Sequence, residues 1–153
     1  MNKFFIPYEK ALKLKELGFD EFCFASWEDT SMKDMKTGIE TPIIALNNSN
    51  GFRKYNQEHD YNKSLGFKSG IAAPMYQQAF SWFSDKYNIF SNDSYDRGLN
   101  AGKIPVIHGY SYRIYNLNTC VDHYGTTYNT PEEAELARLD NLIEIVNNNP
   151  FIR

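Results

Sequence analysis

The chain has 153 residues, of which 42% are hydrophobic and 23% charged. That fits one globular domain, 1–153, able to bury a core without a disulfide or metal staple. Its 16 Lys and Arg are outnumbered by 19 Asp and Glu, for a net charge of −3, and no basic block occurs. Duplex nucleic acid, which is held by a basic face, is therefore not an expected partner.

No apolar run approaches the roughly 18 residues of a membrane span. The start, Met1 to Pro7, has only three consecutive apolar residues, too few for the core of a signal peptide. An intracellular, cytoplasmic product without membrane attachment is expected. Tyr and Phe number 11 each, so many large side chains, half of them with polar tips, are available for a core or a binding surface.

The first predicted helix runs from Pro7 to Leu17. Proline suits a helix start, and Gly18 can close the end with a positive φ, with Phe19 beyond it as a hydrophobic stop. Glu21 to Trp27 reads as a strand. From Glu28 to Gly70 periodicity dissolves, apart from a short strand at Thr41–Leu46 and a turn at Asn47–Gly51; the segment reads as a variable insertion. The second helix, Pro74 to Tyr87, places Tyr76, Ala79, Phe80, Phe83 and Tyr87 on one face, widened by Met75 and Trp82. Asn88 can end it in the left-handed region. Ser91 to Lys103 reads as a polar connection with Gly98 and Gly102 as turn residues.

Ile104 to Leu117 is a strand that sends Tyr110, Tyr112 and Ile114 to one face and Ser111, Arg113 and Tyr115 to the other. Asn116 to Thr119 turns the chain, and Cys120 to Tyr128 returns as its antiparallel partner. Thr130-Pro131-Glu132-Glu133 is a capping box that opens a third helix, stopped by Asn147 to Pro150. The expected fold is α+β: a small, mostly antiparallel sheet with about three helices packed on it.

The blocks Phe5–Asp20, Ala73–Phe83 with Lys86-Tyr87, and Tyr128–Val146 together resemble a family of small uncharacterised proteins encoded by phages and prophages of Bacteroidetes. The resemblance implies a phage context and a cytoplasmic product. It supplies no catalytic residues. The matching blocks are mostly caps and core positions, which leaves the segments between them as the candidates for function.

No Walker A, GxGxxG, GxSxG or HExxH motif is present. His59, His108 and His123 match no metal spacing, and they read as structural or surface residues, so neither metal nor cofactor is expected. Cys23 and Cys120, far apart and without a CxxC, read as buried free thiols, with a disulfide open if their strands adjoin. The candidate ligand-binding group is Arg53 and Tyr55 in the insertion with Arg113 and Tyr115 on the strand; rings and guanidinium groups stack on planar anions. The expected function is a non-enzymatic phage accessory protein that binds a host defence factor, another host or phage protein, or a nucleotide-like signal. The alternative is a minor virion or assembly component, followed by an enzyme with an unrecognised site.

Overall fold

The computed structural model describes residues 2–28, 43–46 and 70–149. Most of the 28–70 insertion therefore lies outside the described residues, including the turn at Asn47–Gly51, His59 and the candidates Arg53 and Tyr55. The fold is α+β, with antiparallel pairing throughout. In place of one sheet, the described residues form two, each of three strands. They fall in two compact units, Met1–Met75 and Tyr76–Arg153.

The first unit starts with a short 3-10 turn at Asn2–Phe4 and the helix α1, Tyr8–Glu16. Pro7 stands at the N-cap, and its carbonyl accepts from the N–H groups of Lys10 and Ala11 at 3.0 and 2.9 Å. Beyond the C-cap Leu17, Gly18 takes a φ of 82°. The Gly18 N–H then donates to the Lys15 carbonyl and the Phe19 N–H to the Leu14 carbonyl, both at 2.9 Å, which is the Schellman closure that a C′ glycine permits. Leu14 and Phe19 are both buried.

Strand β1, Ala25–Glu28, is shorter than the Glu21–Trp27 expectation and lies between β2, Ile43–Leu46, and β3, Ile71–Ala72. The Trp27 indole N–H donates to the Ile6 carbonyl at 3.1 Å, and its ring meets Tyr8 edge-on. One side chain thus anchors the sheet to the chain entering α1.

In the second unit, α2, Tyr76–Tyr87, buries Tyr76, Ala79, Phe80, Trp82, Phe83 and Tyr87, the stripe its spacing predicts except for Met75, which precedes the helix and is exposed. Asn88 reaches a φ of 55° and turns the chain straight into β4, Ile89–Leu99. This strand corrects the reading of Ser91–Lys103 as a polar connection. Asn, Asp, Ser and Gly are poor strand formers, and most of β4 is exposed, so the local sequence carries no strand signal. The pairing comes from β5, Pro105–Asn116, which is registered against β4 from Ile89↔Asn116 to Leu99↔Pro105 with a bulge at Asp96/Arg97.

The connecting turn is closed by the Asn100 side-chain carbonyl, which accepts from the N–H groups of Gly102 and Ile104 at 3.0 and 2.9 Å. Strand β6, Val121–Tyr124, returns along β5. After a one-residue shift, Tyr128 exchanges two backbone hydrogen bonds with Tyr110.

Helix α3, Pro131–Asn148, has the expected capping box. The Thr130 hydroxyl accepts from the Glu133 N–H at 3.2 Å, and the Glu133 carboxylate accepts from the Thr130 N–H at 3.3 Å. Ala134, Leu139, Leu142, Ile143 and Val146 are buried. Arg138 is buried with them. Its guanidinium lies 3.4 Å from the Phe80 ring centre and 2.6 Å from the Asp93 carboxylate.

Thr130→Ala is expected to destabilise by about 0.5–2 kcal/mol, read as a lower denaturant midpoint, because the Glu133 N–H loses its side-chain acceptor. Gly125→Ala would set a Cβ 2.4 Å from the Tyr112 ring. We expect it to cost about 1–3 kcal/mol in the same measurement, with little change in the denaturant slope.

Candidate functional site

Alternation along β5 decides which side chains meet. Tyr112, Ile114 and Asn116 are buried on the face toward α3, so Arg113 and Tyr115 must point the other way. Register then supplies their neighbours. Tyr124 lies opposite Arg113 and Asp122 opposite Tyr115 on β6, with Asn92 and Phe90 in the matching positions on β4.

The Arg113 guanidinium meets Asp122 as a two-bond fork. Nε donates to Oδ1 at 2.9 Å and one terminal nitrogen donates to Oδ2 at 2.8 Å. The same guanidinium sits 5.5 Å from the Tyr124 ring centre. Hydrogen bonding to Asp122 holds the Arg113 pKa above its ordinary value, and the reciprocal bond holds the Asp122 carboxyl below its own. The Tyr115 hydroxyl pKa is raised by the adjacent Cys120 sulfur, electrostatically and through their hydrogen bond.

Two of the four sequence candidates, Arg113 and Tyr115, therefore share one exposed face. Arg53 and Tyr55 lie outside the described residues. Arg113 is already paired with a carboxylate, so a phosphate would have to displace Asp122 to use the full fork. Three contributors escaped the sequence reading: Asp122, Tyr124 and Phe90. Asp122 and Tyr124 were legible in principle, by counting register back from the Asn116–Thr119 turn. Phe90 was not, because β4 itself was unrecognised.

Around the Arg113–Asp122 pair the surface is aromatic. Tyr124 is 69% exposed and Phe90 47%. Large exposed rings clustered beside a charged pair are typical of association surfaces.

Among the described residues, His108 and His123 are not brought together. His123 lies opposite Ile114 on the inward face, whereas His108 lies across Gly98 in the far part of the hairpin. Among the described residues no group of three or more His, Cys, Asp and Glu is placed to hold a metal. Both cysteines are free thiols, Cys23 buried as expected and Cys120 exposed. The exposure of Cys120 corrects the buried reading. It ends the β5–β6 turn at a φ of 56° and does not begin the strand.

Comparison with protein families, with curated proteins and with solved structures finds no match to this chain. Among the described residues no helix is long and apolar enough to cross a membrane. The fold and the face together describe a small α+β protein with an exposed aromatic sheet surface built around an arginine–aspartate fork.

The Asp122 carboxyl is expected to titrate below a free aspartate in a carbon-detected NMR titration. The depressed value means that the pairing stabilises the fold above the unfolded carboxylate pKa, and that this contribution fades as pH falls through the folded one. In Arg113→Ala the Asp122 midpoint should move up toward that of a free aspartate. An unmoved midpoint would show that the fork does not persist in solution.

Proposed function

We propose that this chain is a non-enzymatic accessory protein of a phage or prophage, acting in the host cytoplasm by binding a protein partner through the outer face of the β4–β5–β6 sheet. The observation that carries this reading is the cluster of exposed Phe90 and Tyr124 with half-buried Tyr115 around the Arg113–Asp122 fork. Aromatic residues and arginine dominate the energetic centres of protein interfaces. The fork presents a neutralised pair and not a bare cation, which suits a polar protein surface better than the phosphates of a nucleotide. The phage context rests on the resemblance of the three sequence blocks.

The test is capture of partners from lysate of the infected host by tagged protein, comparing wild type with Tyr124→Ala. The expected outcome is one specific partner whose affinity falls at least about tenfold in the variant, with an unchanged melting temperature. Calorimetry with a nucleotide panel addresses the other ligand. Heat that disappears in Arg113→Ala would favour the nucleotide version over the protein one.

A second reading, as a minor virion or assembly component, draws on a different feature. The far part of the β4–β5 hairpin exposes Leu99, Ile104 and Ile107. Among the described strands, none pairs with β4 on its outer side. Apolar arms and free strand edges are suited to contacts between subunits. Mass spectrometry of purified virions separates the two readings: presence at fixed copy number supports the structural one, and absence supports the accessory one.

A further inference from the structure

We propose that the cleft between β6 and the C-terminal half of α3 binds an organic cation, an alkylammonium or guanidinium group carried on an aliphatic stem. This site lies on the opposite side of β6 from the aromatic face and does not depend on it.

The cleft exists because α3 packs on β5 and β4, while the inward side of β6 is left uncovered. Its volume is about 410 Å³, within the roughly 300–1,000 Å³ range of small-molecule sites. Asn141, Glu144, Ile145 and Asn148 follow the i, i+3, i+4, i+7 spacing of one helix stripe and form one wall. Val121 and His123 project from β6 as the other.

The chemistry of these walls is one-sided. Glu144 contributes a full negative charge, and none of the described residues lining the cleft is a lysine or arginine. The wall belongs to the C-terminal end of α3, where the aligned peptide dipoles add partial negative charge, and the last turn carries no basic residue to offset it. The Asn141 amide nitrogen spends one N–H on the Tyr112 hydroxyl, and the side chain keeps its carbonyl oxygen as an acceptor for a ligand. Acceptors and negative charge on the wall select a donor-rich cation and oppose an anion. Val121 and Ile145 add an apolar strip on which a methylene stem can lie while its charged head reaches Glu144.

The test uses four probes: butylguanidinium, butylamine, the neutral isostere butylurea, and a blocked tripeptide with a central arginine. Binding is followed by amide shifts in NMR and by calorimetry. The cations should shift the amides of Val121, His123 and Ile145, and butylurea should bind at least roughly tenfold more weakly, as expected for loss of a charge-assisted hydrogen bond. Glu144→Gln should weaken butylguanidinium by a similar factor without a change in melting temperature. Asn148→Lys, which installs a resident cation at the helix end, should abolish binding and raise the melting temperature. A tripeptide that binds much more tightly than butylguanidinium would identify the source as an arginine of a protein; equal affinity would identify a free small cation. Butylurea binding as tightly as the cations, an affinity unchanged by Glu144→Gln, or no shifts at millimolar probe would each overturn the proposal.

Discussion

Tyr112 is the side chain through which the parts of the second unit are fixed to one another. It is buried on the inward face of β5, stacks on Tyr128 with planes 17° apart, and receives the Asn141 amide of α3. Its ring also fills the space where a side chain at Gly125 would stand. One residue thus sets the helix, the central strand and the chain leaving β6 in a single arrangement. Burial pushes its hydroxyl pKa up to about 12, so it remains a neutral hydrogen-bonding group across the physiological range. Strand alternation does the rest. With Tyr112 and Ile114 turned in, Arg113 and Tyr115 have no option but to face out, and the composition of the outer surface follows from the packing of the inner one.

Arg113 and Arg138, both in this unit, show how the same side chain serves opposite ends. Arg138 is sealed inside, over the Phe80 ring, with one carboxylate contact from Asp93 and its Nε without a partner. Burial lowers its pKa, the signature of a charge held at some cost. Arg113 has two well-formed bonds to Asp122 but remains accessible. An exposed fork of this kind adds little to stability. It is open to exchange with a partner's groups, which the buried arginine is not.

How much of this was legible in the sequence depended on whether the signal was local. The Thr130–Glu133 box, the Gly18 stop and the aromatic stripe of α2 are written in residues a turn apart, and each forms as expected. Strand β4 is written nowhere locally. Its Asn, Asp, Ser and Gly become a strand because β5 offers eleven residues of matching backbone. The same blindness concealed Phe90, and with it the extent of the aromatic face. Arg138 looks like an ordinary surface position on an amphipathic helix, and only the arrival of Phe80 and Asp93 from elsewhere in the chain makes it part of the interior. The acidic, amide-rich stripe of α3 reads from sequence as solvated helix surface. Its meaning as a cleft wall depends on the uncovered side of β6.

The Arg138–Asp93 pair joins residues 45 positions apart, and this separation imposes an order of events during synthesis. The β4–β5 hairpin closes from neighbouring residues and can form as soon as it leaves the ribosome. Helix α2, made earlier, already packs on β4, but the helix that covers β5 emerges only with α3. In that interval Tyr112 and Ile114 form a bare apolar patch on β5, and Asp93 stands without its cation. A pause in translation just before Pro131 would therefore hold the nascent chain in its most adhesive state. The early, strong capping box at Thr130 shortens that exposure by starting the covering helix from its first turn.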